Sequence, residues 1–369
     1  MLLRNLAERD RFADAGARIQ ETERNLLRIA ANRLQEKGAW DLGELRLELE
    51  ELIIEGAAIE VTGFESFEID GILADPNLEA LEVGPLEPES GANAVAEVGD
   101  VYILGPHRLI CGDARDAAVL SELMGSSSCQ FVFTDQPYNV KISGHVTSGK
   151  HREFSMASGE MSEEQFFQFN NDWIREALLY LGDGGVFGTF IDWRGLQSVT
   201  AAAAEAGLSQ LNLIVWSKTN AGMGSLYRSQ HELLPLFKKG EAAYKNNISL
   251  GQKGRWRSNV WTYPGASSAG SDAQKGLKHH PTVKPVAMLE EAIKDLTDRG
   301  DIVLDPFLGS GSTLLAAERT GRICRGVEID PLYIEVIIKR YEQLTGKAAV
   351  LEKTGETFAE VSKRRAAQP

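Results

Sequence analysis

Apolar residues along this 369-residue chain recur first at helical spacing and then at strand spacing, and the change comes near residue 100. Leu26, Leu27, Ile29, Ala30 and Leu34 fall near one face of a predicted helix over Ile19–Lys37, which Gly38 stops. Leu45, Leu49, Leu52 and Ile53 mark a second helix over Leu42–Ile54, and a shorter one is expected over Glu65–Leu73. Asp75–Asp100 holds three prolines and seven acids with no base, the composition of a linker. Beyond it, β runs are expected at Val101–Leu104, Arg108–Cys111, Gln130–Thr134, Val186–Ile191, Leu211–Trp216, Glu232–Phe237, Asp301–Leu304 and Arg322–Val327. Between them lie helical stretches at Ala117–Met124, Glu163–Leu181, Arg194–Ala206, Val286–Leu296 and Leu314–Arg319, with Leu332–Leu344 last. This alternation predicts an α/β fold with a doubly wound, mostly parallel sheet.

Two stretches break the pattern. Asn139–Met161 is a polar loop, and a loop of that length inside a domain usually contacts or covers a substrate. Glu241–His280 has no period: it is basic, rich in Gly, Ser and Asn, and interspersed with Trp256, Trp261 and Tyr263. The tail after Lys353 is polar and expected to fray.

Charge sharpens the division. Residues 1–100 carry nine Lys+Arg against 23 Asp+Glu, so they account for the whole net charge of −14. Within the neutral remainder, Ser217–Lys284 holds eleven basic residues and three acidic ones, enough for a surface that meets phosphates. Basic residues among aromatics suit nucleic acid, and Lys253, Arg255, Trp256, Arg257, Lys275 and Lys278 are the candidates. No apolar run of 18 residues is present and the first residues are too charged for a signal peptide, so a cytoplasmic chain is expected. Cys111, Cys129 and Cys324 form no CxxC pair, which points to reduced thiols and no zinc.

The chemistry gathers at strand ends, where open α/β sheets place their sites. The run Gln130–Thr134 ends in Asp135-Gln136-Pro137-Tyr138. An exocyclic amino group on a nucleobase is a poor nucleophile because its lone pair is delocalised into the ring. A carboxylate and a carbonyl that accept its two hydrogens localise that pair. Asp135 and the carbonyl of Gln136 offer such a pair, with Pro137 fixing the backbone and Tyr138 available to stack on a flipped base. Further on, the strand Asp301–Leu304 runs into Asp305-Pro306-Phe307-Leu308-Gly309-Ser310-Gly311-Ser312-Thr313, then a helix, then a strand ending in Glu328. Gly309 and Gly311 let backbone amides approach a ligand, and an acid 19 residues after Gly309 stands where ribose hydroxyls are held, close to the usual spacing of about 20. The lysine of a phosphate loop is missing, and an amino-acid carboxylate at the turn fits better, as in S-adenosylmethionine.

These two motifs, with Gly326-Val327-Glu328-Ile329-Asp330 behind the second, closely resemble the amino-group DNA methyltransferases of the circularly permuted β class over about Gly99–Leu344. The resemblance implies a Rossmann-like methyltransferase domain at 101–350, S-adenosylmethionine as cofactor, and double-stranded DNA as substrate. It also implies a target recognition region at about 241–280 and, often, a homodimer. It makes Asp135, Gln136, Pro137 and Tyr138 the catalytic turn. Asp305, Phe307, Gly309 and Gly311 would line the cofactor, Glu328 would hold its ribose, and Asp113 would lie near its adenine. Thr282 and Lys284 would approach its methionine carboxylate. The acidic helices of residues 1–74, joined by a linker at 75–100, resemble segments that follow ParB-like domains in some phage and bacterial methyltransferases; residues 351–369 are left as a polar tail.

The family's first motif reads Asp-Pro-Pro-Tyr or Ser-Pro-Pro-Tyr, whereas this chain has Gln136 in place of the first proline. Asp135 favours adenine N6, with cytosine N4 as the alternative. Glutamine still supplies the carbonyl but gives up the fixed φ, and an acceptor misplaced by about 1 Å can cost on the order of a hundredfold in rate. A weakened relative that binds DNA and cofactor is therefore the other expectation.

Overall fold

The computed structural model describes residues 41–140, 159–250, 256–265 and 284–367, together with 25, 26 and 29; within these ranges 56, 58, 76–77, 79–80, 82, 85, 87, 89–92, 223–225 and 249 are outside the description. The chain divides into two units, Met1–Asp75 and Pro76–Pro369.

The first unit holds α1 (Leu42–Ile54) and α2 (Ser66–Leu73). Asp41 caps α1 through the amides of Gly43 and Glu44, and Glu65 and Glu68 form a reciprocal capping box on α2. Their apolar faces close on a small core of Ile29, Leu45, Leu49, Leu52, Phe64, Ile69 and Leu73. Most of the helix predicted over Ile19–Lys37 lies outside the described residues.

The second unit is a ten-stranded sheet. Its strands are β1 (Val101–Leu104), β2 (His107–Cys111), β3 (Cys129–Thr134), β4 (Leu181–Thr189), β5 (Ser209–Lys218), β6 (His231–Lys238), β7 (Val260–Tyr263), β8 (Ile302–Asp305), β9 (Ile323–Glu328) and β10 (Val350–Leu351), in the spatial order β10-β1-β2-β9-β8-β3-β4-β6-β5-β7. The five central strands, β2, β9, β8, β3 and β4, are parallel, and antiparallel partners flank them on both sides. Helices α3 (Ala117–Met124), α4 (Glu163–Leu178) and α5 (Leu196–Glu205) contribute to the core on one face. Those on the other are α6 (Val286–Leu296), α7 (Ser312–Thr320) and α8 (Pro331–Thr345). Alternation along β3 serves both layers: Val132 packs with α4 and α5, whereas Phe131 and Phe133, stacked at 4.7 Å, pack with α6.

Three expectations are corrected. The tail is not frayed: Thr357 and Glu360 form a capping box at the start of α9 (Phe358–Ala366), Phe358 and Val361 are buried, and Arg365 pairs with Asp100 at 2.5 Å. The stretch after residue 92 is not a free linker. Ala96 is buried, Val95 donates its amide to Glu335 at 2.5 Å, and Gly99 donates to the carbonyl of Cys111. The irregular basic segment contains a strand, β7, which pairs in parallel with β5 and buries Trp261.

Candidate active site

The sheet order brings β8 against β3, with Phe131 opposite Val303 and Val132 opposite Leu304. From this pair the chain extends one way through β4 and the other way through β9, so the crevice at their carboxyl ends is the topological switch point. Asp305 ends β8, Thr134 ends β3, and the Thr134 hydroxyl donates to Asp305 Oδ1 at 2.5 Å. Cys111 of β2 pairs with Glu328 of β9, which places Asp113 beside Glu328 along the same edge.

The glycine-rich turn is built from backbone. Phe307 N–H donates to Asp305 Oδ1 at 3.0 Å, and Gly309 N–H donates to Glu328 Oε2 at 2.8 Å. Glu328 Oε1 accepts from Asp330 N–H at 2.8 Å, and Asp330 in turn caps α8. Gly309 and Gly311 have φ of 55° and 86°, the left-handed region that glycine enters freely. A side chain at Gly311 would press on Ile337 at 3.1 Å, but one at Gly309 would enter open space. No side chain caps α7, so its first-turn amides are left for an anion. That open cradle above an uncapped helix start fits an amino-acid carboxylate, and the acid behind it fits a ribose.

Burial sets the electrostatics of this half. It raises Asp305 to about 6 and Glu328 to about 8, in each case against hydrogen bonds that favour the carboxylate. Asp113 behaves otherwise: burial would raise it, but the Arg115 guanidinium, 2.7 Å away, holds it below the usual carboxylate range.

The base-side turn is more heavily tied down than its sequence suggests. Gln136 is 1% exposed, and its Oε1 accepts from the indole N–H of Trp173 at 2.9 Å. Trp173 meets the Phe307 ring edge-on at 5.2 Å. The glutamine that replaces the proline is therefore linked, through one tryptophan, to the glycine-rich turn. Just beyond, Asn139 adopts φ 55°, and its side-chain amide bonds to Gly159 N–H, Met161 N–H and Met161 C=O, which staples the two ends of the long loop. Most of that loop lies outside the described residues.

Around Asp135 the structure assembles a group that the sequence did not suggest. Tyr138 O–H lies 2.7 Å from Asp135 Oδ1 and 3.0 Å from Glu232 Oε2. Lys284 Nζ lies 2.5 Å from Asp135 Oδ2, 3.0 Å from Glu232 Oε2 and 3.2 Å from the Tyr138 hydroxyl. Lys218 pairs with the other oxygen of Glu232. Burial raises Asp135 above the usual range, reinforced by Glu232 and opposed by Lys284. Burial also works against the Glu232 carboxylate, but Lys284 and Lys218 outweigh it and bring the group down to about 2. Lys284 was expected beside the cofactor's carboxylate; its ammonium pairs with the carboxylates of Asp135 and Glu232. Glu232 was missed, since only the insertion of β6 beside β4 brings it there.

Among the DNA-contact candidates, Lys253, Arg255, Lys275 and Lys278 lie outside the described residues, as does the cofactor candidate Thr282. Trp256 is exposed. Arg257 pairs with Asp295 at 2.5 Å and with Glu291, and lies 4.5 Å over the Trp261 ring. Lys245 likewise pairs with Asp298 and Asp301, so part of the positive charge counted in this stretch is neutralised within the fold.

A family model described as DNA methylase, of the N6/N4 type, matches residues 129–340, more than half of the chain. The chain belongs to that family. The N6/N4 DNA methylases take their methyl group from S-adenosylmethionine, the ligand that the turn and Glu328 fit. A second model, described as the ParB-methyltransferase HTH domain, matches residues 43–103. The Type II methyltransferase M2.DpnII of Streptococcus pneumoniae is 30% identical over 231 residues, 59% of this chain and 84% of that protein. M2.LlaDCHI of Lactococcus lactis subsp. cremoris is 30% identical over 237 residues, 61% and 86% of the two chains. A crystal structure of an M1.HpyAVI-SAM complex shares 22% identity and covers 63% of this chain and 97% of its own, with a TM-score of 0.47. Among the described residues no helix is long and apolar enough to cross a membrane.

Proposed function

We propose that this DNA methylase is a site-specific adenine-N6 methyltransferase of the permuted β class, acting in the cytoplasm on a base flipped from double-stranded DNA. The observation that carries the reading is Asp135, an acid rather than serine, at the carboxyl end of β3 beside the cofactor strand β8. The permuted order is supported by the chain itself, in which the base turn at 135–138 precedes the cofactor turn at 305–313. The match to a ParB-methyltransferase module supports a ParB-associated origin for the N-terminal unit.

Bound S-adenosylmethionine supplies an electrophilic methyl group. Glu328 would hold its ribose, and the open turn at Gly309 with the uncapped start of α7 would hold its carboxylate. Asp135 accepts one hydrogen of the adenine amino group and the Gln136 carbonyl accepts the other, which localises the nitrogen lone pair. Tyr138 stacks on the flipped ring, and Trp173 fixes the Gln136 side chain so that the neighbouring carbonyl keeps its aim. The proton released from the amino group leaves through Asp135 or water.

The test is transfer of labelled methyl from S-adenosylmethionine to unmethylated genomic DNA, followed by digestion to nucleosides. N6-methyladenine is expected. N4-methylcytosine would move the substrate to the other base, and no labelled nucleoside at all would refute the enzyme reading.

A further inference from the structure

Both acceptor oxygens of Asp135 are engaged by the protein itself. Oδ1 faces the Tyr138 hydroxyl at 2.7 Å and Oδ2 faces the Lys284 ammonium at 2.5 Å. An ionised carboxylate accepts more than one hydrogen bond per oxygen, but the hydroxyl on Oδ1 and the ammonium on Oδ2 compete with the amino group of the target base for the lone pairs of Asp135. The same two donors have a second seat, because Glu232 Oε2 lies 3.0 Å from the Tyr138 hydroxyl and 3.0 Å from Lys284 Nζ. A hydroxyl has one proton, so Tyr138 donates to Asp135 or to Glu232 but not to both. Tyr138 thus has two acceptors within reach, at 2.7 Å and 3.0 Å.

We infer that Glu232 is a positioning residue which draws Tyr138 and Lys284 off Asp135 as the target base enters. Lys218, on the far oxygen of Glu232, keeps that carboxylate in place while it accepts the load. With the four charges of Asp135, Glu232, Lys218 and Lys284 balanced, the exchange needs no charge to enter or leave the pocket. Neighbouring rings restrict Lys284 to this short path: its ammonium lies 5.0 Å from the centre of Phe190, 5.5 Å from Tyr138 and 5.7 Å from Trp216. The inference rests on the reading of Asp135 as the acceptor for the target amino group.

Single-turnover methyl transfer to unmethylated genomic DNA, with enzyme in excess, tests it alongside binding of DNA and of S-adenosylmethionine. Glu232→Gln keeps an acceptor oxygen but removes the charge of the second seat, which leaves Asp135 as the carboxylate that holds Lys284. The transfer rate is expected to fall on the order of tenfold or more, with both binding affinities unchanged. Adding Lys284→Met removes the competing ammonium and restores neutrality, so the double variant should recover most of the lost rate. A Glu232 needed only for structure gives the opposite result, a double variant no faster than the single one. If Glu232→Gln does not fold, the charge-balanced double variant is compared directly with the parent, and a rate within about tenfold of the parent is expected. A rate equal to the parent's in Glu232→Gln, or a double variant slower than the single, overturns the hand-over alone. A parent chain that methylates no base overturns the functional reading and the hand-over with it.

Discussion

Gln136 occupies the position where the family carries proline, and the structure changes what its replacement should do. The side-chain oxygen is buried and takes the indole proton of Trp173 at 2.9 Å. Gln136→Met keeps the volume and removes the acceptor; Trp173→Phe keeps an aromatic ring and removes the donor. Trp173→Phe leaves the buried Gln136 oxygen unsatisfied, at a cost of about 1–3 kcal/mol, whereas after Gln136→Met the indole N–H keeps Asn170 Oδ1 at 3.3 Å and the cost is smaller; replacing both with apolar groups can be close to neutral. For a unit of this size, 1–3 kcal/mol corresponds to a melting shift of about 2–10 °C. The rate is more sensitive, because a turn that loosens by about 1 Å misaims both acceptors and costs on the order of a hundredfold.

The assay is a double-mutant cycle read by kcat for methyl transfer and by thermal melting. Each single variant should lose kcat with little change in KM for DNA, and the double variant should lie closer to the parent than the product of the two losses. The coupling expected for a direct contact is about 1–2 kcal/mol, or roughly tenfold. Trp173 also sits 5.4 Å from Phe187 and 5.2 Å from Phe307, so Trp173→Phe removes some packing whatever its partner does. That part appears equally in the single and double variants and cancels in the cycle. Gln136→Pro restores the family sequence but takes the acceptor from Trp173, and it should lower the rate. Losses that multiply, or a tenfold gain in Gln136→Pro, would refute the anchoring role.

Other expectations follow from the same geometry. Glu328, raised by burial to about 8, is stabilising in its neutral form, so its contribution is complete below the usual carboxylate value and is lost as pH rises through 8; melting of the ligand-free chain should fall between about pH 5 and pH 9. Asp135 accepts strongly and can take up the amino proton only when ionised, and its raised pKa should place the acidic limb of kcat above an ordinary aspartate's; Lys284→Met should move that limb higher still, because the opposing cation is gone. Gly309→Ala should fold at a cost of about 1–2 kcal/mol for its left-handed φ but weaken S-adenosylmethionine binding, measured by calorimetry, because the new methyl enters the open cradle. Asn139→Gly keeps the left-handed conformation and cuts the staple, so limited proteolysis should nick the 141–158 loop faster than in the parent.

Local signals account for what the sequence made legible. Helices α1 and α3 fall on their expected bounds because Asp41 and Asp116 cap them and apolar residues then recur on one face. The motif ends at Asp135, Asp305 and Glu328 were legible because a carboxylate after a short apolar run stands out whatever surrounds it. What failed depends on partners distant in sequence. Strand β7 is four residues inside a polar stretch, and it is a strand because β5 offers an edge. Strand β4 begins at Leu181, five residues early, because a register shift against β3 absorbs the glycines between Leu181 and Val186. Helix α9 has only Phe358 and Val361 as buried anchors, too few to show a period, and its arginine partner Asp100 lies far up the chain. Glu232 carried no signal, since a glutamate opening a strand is unremarkable until Lys218 and Lys284 converge on it.

The two motifs stand about 170 residues apart and meet because β8 is inserted between β9 and β3. One consequence is that they cannot move independently. The Thr134 hydroxyl joins the last residue of β3 to Asp305, and Gln136, Trp173 and Phe307 form a second line of contact between the base turn and the cofactor turn. A ligand that settles against Phe307 therefore presses on the side chain that aims the Gln136 carbonyl. The physical content of such coupling is a change in position at one turn felt at the other through packed rings, which deform little. On this basis cofactor occupancy should tighten the base turn before DNA arrives, and Trp173→Phe, which removes the indole bond to Gln136, should uncouple the two while leaving the Thr134–Asp305 bond in place.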